Sequence, residues 1–447
     1  MDTPIRSQTA LKYFEENKAW MEERIESGIE ANRKGWAKLL FVDCEGNPVS
    51  GVKLHLEQKS HDFRFGCNLF MLDELETEEK NKKYKEMYPT FFNLATLPFY
   101  WANLELEPGK VRFAKDSVKN YRRPAPDLCL EYCQEKGIEP KLHCLVYDQW
   151  SPTWLPDDAE QVKILLDKRI AQIAERYADS IPSMEVINET QCNEYNKPDR
   201  KSTPFFRERD IIEWSFAHAR HYLPRNKLII NEATPHVWGN RFKFDRSAYY
   251  LQIERALLKG ASIDSIGMQY HQFHSRDEEA TQAKFLLNPV NLYKVMDTYA
   301  QLNLPMQVTE VTASAFSGEA EDEQIQAEMI RNLYRIWFSH PNMEAIVYWN
   351  MIDGYAAYAE PGDMTSGENR YHGGLLRFDM SPKPAWNVLD QLINHDWHTS
   401  IDSECNGCAD IKGFYGKYEL TATANGKTVT VPLHLKKGLS NHFTVQI

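Results

Sequence analysis

The sequence predicts an α/β fold: a (β/α)8 TIM barrel with a small accessory β-sandwich formed from N- and C-terminal segments. Between residues 62 and 395, short apolar or β-branched runs recur at a spacing of roughly 30 to 50 residues, each followed by a helical pattern. About eight such runs occur, the number of strands that closes a barrel. The length of 447 residues also suits a barrel of about 250 to 350 residues with a smaller module attached.

Two elements precede the predicted barrel. Residues 1–35 are predicted as a helical lead-in, because Leu11, Phe14, Met21 and Ile25 follow a spacing close to three or four residues. Residues 36–61 alternate between apolar and polar side chains on both sides of a turn at Glu-Gly-Asn-Pro. This second segment is predicted as a β-hairpin that belongs to the accessory sandwich.

The predicted catalytic barrel spans residues 62–396. Its candidate strands end near Asn68, Thr96, Val146, Glu189, Glu232, His271, Val311 and Met351. Helical patterns cover residues 158–178, 206–222, 287–302 and 322–340. Residues 397–447 then read as short strands, which we expect to pair with the early hairpin because neither piece alone has enough strands to be stable.

Composition limits the possible partners. Acidic residues outnumber basic residues by 64 to 52, giving a formal charge of −12, so the field of the protein repels nucleic acid and anionic membranes. No apolar run reaches about 18 residues, and the first residues lack the features of a signal peptide. Two locations stay open: cytoplasmic, or secreted or periplasmic if a leader has been removed.

The eight cysteines are scattered and do not show the paired spacing of a zinc site. Cys405 and Cys408 form one CxxC, which we interpret as a loop with two free or locally bridged thiols. We therefore expect no metal and no cofactor.

Polar side chains cluster where the predicted strands end, which is where barrel active sites lie. Glu189 ends one of these strands and Glu310 ends another, three strands later. Hydrolysis of a glycosidic bond with retention needs two carboxyl groups about 5 Å apart, one to attack the anomeric carbon and one to protonate the leaving oxygen. Taken singly, either glutamate is better explained by a structural salt bridge, and Glu185, Glu194 and Glu232 are expected to be structural.

The neighbours of the two glutamates favour catalysis. Asn188 precedes Glu189 and could bind a sugar hydroxyl beside the cleaved bond. His271 lies on an intervening strand, where it could donate to Glu310 and hold it ionised.

The pairs Asn188-Glu189 and Thr309-Glu310, with Gln269-Tyr270-His271 between them, resemble glycoside hydrolase family 10, the main xylanase family. The resemblance continues from about residue 62 to residue 395, including the segment from Lys141 to Leu155. It implies a retaining β-glycosidase with Glu189 as general acid/base and Glu310 as nucleophile. The expected substrate-binding residues are Asn68, His143, Tyr147, Asn188, Gln269, His271 and Trp349.

One region departs from the family pattern. The family's glutamate, asparagine and lysine, which grip the sugar beyond the cleaved residue, are replaced here by Pro98, Phe99 and Ala102. Asp148 and Ala357 likewise stand where a histidine and a tryptophan are usual. We therefore expect unbranched xylan to be a poor substrate or to be cut with unusual subsite preference.

Three hypotheses follow. The leading one is an endo-1,4-β-xylanase that acts on polysaccharide or oligosaccharide as a monomer. The second is a retaining β-glycosidase that acts on a different β-linked glycan or on a plant glycoside. The third is a carbohydrate-binding protein that has lost turnover, which the presence of both Glu189 and Glu310 opposes because a buried carboxylate pair costs stability.

Overall fold

The computed structural model describes residues 6–192 and 204–447. Three helices open this part of the chain: α1 (Arg6–Ala10), α2 (Lys12–Glu16) and α3 (Lys18–Asn32). Met21 and Ile25 bury the inner face of α3, in agreement with the predicted helical spacing. The first five residues of the predicted lead-in lie outside the described residues.

The predicted barrel is present. Eight parallel strands close on themselves in chain order, with the last strand paired to the first. The strands are β3 (Arg64–Asn68), β4 (Leu94–Pro98), β5 (Glu139–Val146), β6 (Ser183–Asn188), β7 (Lys227–Glu232), β8 (Ser265–His271), β9 (Met306–Thr312) and β10 (Met343–Tyr348). They are almost entirely buried, because helices cover the outside of the sheet, which explains why they read as continuous apolar runs in the sequence.

Helices of the barrel alternate with these strands. They are α4 (Glu78–Met87), α5 (Trp101–Leu104), α6 (Pro126–Lys136), α7 (Ala159–Tyr177), α8 (Ile211–Tyr222), α9 (Thr234–Val237), α10 (Ala248–Leu258), α11 (Glu279–Leu286), α12 (Pro289–Ala300), α13 (Ala320–Ser339) and α14 (Pro384–Asp390). The four predicted helices correspond to α7, α8, α12 and α13. The carboxylate of Asp158 caps α7 by accepting from the backbone N–H of Gln161 at 2.8 Å.

The accessory module is a β-sandwich, as predicted. Its strands are β1 (Lys34–Val42), β2 (Val52–His61), β11 (Ser400–Cys405), β12 (Cys408–Phe414), β13 (Gly416–Ala424), β14 (Lys427–Leu435) and β15 (His442–Gln446). One sheet has the order β12-β1-β15 and the other β11-β2-β13-β14. Leu39 and Phe41 from the first sheet and Leu56 and Leu420 from the second share one buried core.

The predicted hairpin of residues 36–61 is wrong in its pairing. β1 and β2 lie in opposing sheets, and the segment between them crosses from one sheet to the other. β1 pairs instead with β12 and β15, and β2 with β11 and β13. Alternation of side chains predicts a strand but does not identify its partner. The boundaries 1–35, 36–61, 62–396 and 397–447 stay predictions.

Cys405 and Cys408 occupy the ends of β11 and β12, and both thiols are free. Along the described residues, no helix is both long enough and apolar enough to cross a membrane.

Candidate active site

A cavity of about 530 Å³ opens at the carboxyl ends of the barrel strands. Glu189 and Glu310 both line it. In a barrel of this kind the strand ends and the loops after them form the reactive face. The two acids therefore meet in the place that the strand positions predicted.

Glu189 follows directly after β6. Its backbone has a φ of 55°, a left-handed conformation that is uncommon for a residue with a side chain and that is concentrated at functional sites. Gln269 on β8 donates from Nε2 to Glu189 Oε1 at 3.0 Å. The hydroxyl of Tyr147 also contacts Glu189, and the pKa of Tyr147 is raised well above its usual range, first by burial and then by this carboxylate.

Glu310 lies within β9 and is only 4% exposed. Its Oε1 accepts from Asn231 Nδ2 at 3.0 Å, and its Oε2 lies 3.1 Å from His271 Nε2. The hydroxyl of Thr312 lies 2.9 Å from the other ring nitrogen of His271, so a tautomer with the proton on Nε2 satisfies both contacts.

The predicted contact between His271 and Glu310 is therefore present, but its predicted effect is not. Burial raises the pKa of Glu310 to about 8, and burial lowers the pKa of His271 to about 4. A neutral imidazole donates one hydrogen bond without supplying a full positive charge. Burial therefore raises the pKa of Glu310 by more than this one hydrogen bond lowers it.

A chain of amides joins the two carboxylates. Starting from Glu189, Gln269 Nε2 reaches Asn188 Oδ1 at 3.3 Å, and Asn231 Nδ2 reaches the same Asn188 oxygen at 2.9 Å and Glu310 at 3.0 Å. Each member lies at the end of a different barrel strand or beside one. The position of either acid is thus tied to the position of the other.

Asn231 is held in this orientation from its other side. Its Oδ1 accepts from the Thr309 hydroxyl at 2.6 Å. Gly267 on β8 leaves the space for that oxygen, because a Cβ at this position would stand 2.5 Å from Asn231 Oδ1. A glycine is therefore required for close approach and not for backbone conformation.

A buried ion cluster lies behind Glu310. Glu185 accepts from Lys141 Nζ at 2.6 Å and from the Nδ1 of His143. Burial alone would raise the pKa of Glu185, but Lys141 and His143 outweigh it and lower the pKa to about 2. Burial would likewise lower the pKa of His143, but the charge of Glu185 prevails and raises it. The raised pKa favours the protonated form of His143, and the charge of that form opposes the effect of burial on Glu310.

Glu232 holds the turn that presents Glu189. Its carboxylate accepts from the Thr190 hydroxyl at 3.0 Å and from the backbone N–H groups of Gln191 and Ala233 at 2.9 and 2.8 Å. Burial raises the pKa of Glu232 to about 7. These contacts agree with the structural roles expected for Glu185 and Glu232, whereas Glu194 lies outside the described residues.

One wall of the cavity is aromatic. Phe70, Tyr100 and Trp349 form a buried cluster, against which Tyr147 and Trp150 pack. Tyr100 places its hydroxyl 3.1 Å from His143 Nε2. This wall therefore offers both rings and a polar atom to a bound sugar.

The segment that departs from the family pattern contributes one ring to the cavity, Tyr100. Phe99 is fully buried against Tyr177 of α7, and Trp101 packs edge-on against Trp154. All three rings follow the end of β4, in the short connection to α5 and at its first residue. Pro98, Phe99 and Ala102 do not line the cavity.

The structure brings most of the predicted substrate-binding residues together. His143, Tyr147, Asn188, Gln269, His271 and Trp349 all line the cavity with the two acids. Asn68 does not. Its side chain accepts from the backbone N–H of Phe70 at 3.4 Å and donates to Asn350 at 3.5 Å, so it lies beneath Phe70.

Sequence analysis missed several residues on the same wall. Arg122 and Arg123 line the cavity, as does Glu368 from the loop after β10. The two arginines lie in the long loop between α5 and α6. The signal that could have indicated them was a pair of adjacent arginines in a segment that follows a barrel strand.

Two groups of potential metal ligands occur among the described residues. One consists of His143, Glu185 and Glu310, and the other of Cys192, Glu232 and His236, each with ligand atoms within 4.8 Å of one another. In both groups the carboxylate already accepts hydrogen bonds from protein donors. The expected absence of a metal stays a prediction.

The barrel and the two carboxylates together define the class: a (β/α)8 barrel protein with the paired acids that glycoside hydrolysis uses. Residues 70–390 match the sequence model of glycosyl hydrolase family 10, and the chain belongs to this family.

The chain is also similar to individual proteins and to solved structures. The chain is 23% identical over 451 residues to the anti-sigma-I factor RsgI6 of Acetivibrio thermocellus, covering 98% of this chain and 50% of that protein. It is 23% identical over 298 residues to endo-1,4-beta-xylanase B of Cellvibrio japonicus, covering 66% of this chain and 43% of that protein. The chain thus spans about half the length of these relatives or less.

The native xylanase 10B from Thermotoga maritima superposes with a TM-score of 0.58 at 19% identity, covering 75% of this chain and 96% of that one. At this identity the similarity shows the fold alone.

Proposed function

We propose that this protein hydrolyses β-glycosidic bonds with retention of configuration, as an endo-1,4-β-xylanase. The observation that carries the proposal is the chain of hydrogen bonds that links Glu189 to Glu310 through Gln269, Asn188 and Asn231. Double displacement needs one carboxyl group that attacks and one that delivers a proton, held in a fixed relation across the bond.

The surroundings of each acid support different roles. Glu310 receives two directed donors, and the charges of Lys141 and His143 oppose the effect of burial and favour the ionised form in which a nucleophile attacks. Glu189 is partly exposed at the cavity edge, where it can exchange its proton with a leaving group and then with water. Asn188 lies between them, in position to bind a hydroxyl of the sugar that is being cleaved.

The name of one relative supports a xylan substrate. The Cellvibrio japonicus protein is named as an endo-1,4-beta-xylanase. The aromatic wall of Phe70, Tyr100 and Trp349 suits the apolar faces of a β-linked chain.

A binding-only protein is the second candidate. It is favoured by the relative that aligns over 98% of this chain, which is named as an anti-sigma-I factor and not as an enzyme. The hydrogen-bonded acid pair opposes it, because burying an ionisable nucleophile costs stability that sugar binding alone does not require.

One experiment separates these functions. The purified protein is incubated with linear xylo-oligosaccharides and with other β-linked oligosaccharides, and the first products are followed by proton NMR. The proposal predicts release of the β-anomer, with Glu310→Gln as an inactive control. Release of the α-anomer would contradict the mechanism, and sugar binding without any product would establish the binding-only alternative.

A further inference from the structure

Two adjacent buried arginines form part of the cavity wall. Arg122 and Arg123 are 5% and 6% exposed. Arg123 packs on the ring of Tyr100, whose hydroxyl lies within reach of the charge of Glu310. The glycone is the part of the substrate that becomes attached to this nucleophile. The two guanidinium groups therefore lie on the glycone side.

Arg123 is fixed by aromatic rings and neutral acceptors. Its guanidinium carbon lies 4.3 Å from the ring centroid of Tyr100, 4.9 Å from that of Trp150 and 5.0 Å from that of Phe70. Its Nε donates to Asn103 Oδ1 at 3.2 Å, and its Nη1 donates to the carbonyl of Arg122 at 2.8 Å. The rings and these bonds hold the group in place, but none of these contacts neutralises its charge.

Arg122 has unused donors. Its Nη2 donates to Asn350 Oδ1 at 3.1 Å, but Nε and Nη1 have no hydrogen-bond partner among residues 6–192 and 204–447. A buried donor on a cation without an acceptor is costly, and native proteins rarely leave one unmet. The residue also has a φ of 60°, so the loop holds it in a left-handed conformation.

The surrounding acids do not balance these two charges. Within the described part of the chain, neither guanidinium has a carboxylate within the 4.0 Å of an ion pair. Glu368 lines the same cavity, and its charge opposes the burial that lowers the pKa of Arg122. Its Oε2 accepts from Asn350 Nδ2 at 3.4 Å. The charge of Glu368 thus acts on both arginines, but neither guanidinium is paired directly with a carboxylate of the described residues.

We propose that Arg122, supported by Arg123, binds the carboxylate of a uronic acid on the glycone side, so that the substrate is a β-linked glycan carrying acidic sugars. The planar guanidinium matches a carboxylate, and binding would place a negative charge beside two cations that form no ion pair with the described residues. The overall charge of −12 repels a polyanion, so the fitting substrate is a mainly neutral chain with isolated carboxylates. This proposal rests on the proposed function and specifies its substrate class.

Matched pairs of aryl glycosides test the proposal, because the aryl group fixes which part of the substrate is the glycone. One pair is an aryl β-glucuronide and the corresponding β-glucoside. The other is an aryl β-xylobioside whose non-reducing xylose carries a glucuronic acid branch and the same compound with the acid reduced to the alcohol. For each pair, kcat/KM of the acidic member is divided by that of the neutral member.

For the wild-type protein we expect a ratio above ten in at least one pair. Arg122→Gln should lower that ratio by roughly 10- to 100-fold, the usual effect of losing a charge-assisted hydrogen bond, and Arg122→Lys should restore part of it. Arg112→Gln is the matched control. Arg112 is buried in the same loop and donates to the carbonyl of Arg123 at 3.4 Å but does not line the cavity, so its replacement should leave the ratio unchanged.

Equal or slower turnover of the acidic member in both pairs would overturn the proposal while leaving the proposed hydrolysis intact. An equal fall in the ratio for Arg112→Gln would also overturn it, because the effect would then come from the loop and not from the charge of Arg122. If no compound is hydrolysed, the proposed function fails. Calorimetric binding of the four compounds to Glu310→Gln then still decides whether the acidic glycones are preferred.

Discussion

The protonation of Glu310 gives a pH-dependent stability that can be measured without any substrate. Burial raises the pKa of this carboxyl to about 8 from the ordinary value of 4.5. Below pH 4.5 the folded and unfolded chains both hold the proton, so the group has no effect. Between pH 4.5 and 8 the unfolded chain loses a proton that the folded chain keeps, and each pH unit lowers the free energy of unfolding by about 1.4 kcal/mol.

Replacement of Glu310 by Gln removes this cost while keeping the shape of the side chain. Asn231 can still donate to the amide oxygen, and the amide nitrogen can donate to the neutral ring of His271. At pH 7 the cost in the wild-type protein is on the order of 3 kcal/mol. Glu310→Gln should therefore be more stable than wild type by about this amount at pH 7 and equal to it at pH 4.5.

Denaturant unfolding at pH 4.5, 5.5 and 7 measures the difference, with Glu185→Gln as a control of opposite sign. The pKa of Glu185 is lowered to about 2, so its stabilisation is present above pH 4.5 and lost as the pH falls toward 2. Glu185→Gln should therefore be strongly destabilised at pH 7, where it leaves Lys141 and His143 without their partner. A Glu310→Gln variant that is less stable than wild type at pH 7, or a difference that does not change between pH 4.5 and 7, would refute the reasoning.

Four further outcomes are expected. Glu189→Ala should slow substrates with poor leaving groups far more than activated aryl glycosides, and equal losses in kcat/KM on both would indicate a different acid. The raised pKa of Glu310 should place the acid limb of the kcat/KM profile above pH 4.5, with activity lost as the pH falls through that limb; a limb below 4.5 would show that Glu310 does not control it. Gly267→Ala should lower kcat by displacing Asn231, and unchanged kinetics would show that the amide chain tolerates the shift. Leu420→Ala in the sandwich core should cost about 2 to 5 kcal/mol of stability, measured by denaturant unfolding, with kcat of the remaining folded protein unchanged.

The barrel could be predicted from the sequence because its strands have a strong local signature. A parallel strand buried on both faces must be continuously apolar, and only its last residues can carry polar groups toward the cavity. Glu189 and Glu310 therefore stood out as acids at the ends of apolar runs. Their common cavity in the structure agrees with this prediction, while their catalytic roles stay proposals.

The pairing of the accessory strands could not be predicted in the same way. Alternation showed that residues 36–61 form strands, but the partner of each strand is set by contacts hundreds of residues away in sequence. A turn signal between two strands favours a hairpin, and here the turn instead crosses between two sheets.

The part of the cavity wall formed by Tyr100, Arg122 and Arg123 was the least predictable part of the site. The departure from the family pattern drew attention to Phe99, but in the structure its ring packs against Tyr177 of α7 and not in the cavity. The cationic groups of the wall come from Arg122 and Arg123, in a loop without regular periodicity. Only the folded chain brings that loop against Tyr100 and over the cavity.

Covalent trapping tests the central proposal most directly. The protein is incubated with an activated 2-deoxy-2-fluoro β-xylobioside, which slows hydrolysis of a glycosyl-enzyme intermediate, and the labelled peptide is identified by mass spectrometry. The proposed mechanism predicts one fluorosugar per chain, attached to the Glu310 carboxylate, and no label in Glu310→Gln. Label on another residue, or turnover of the compound with inversion and no label, would contradict it.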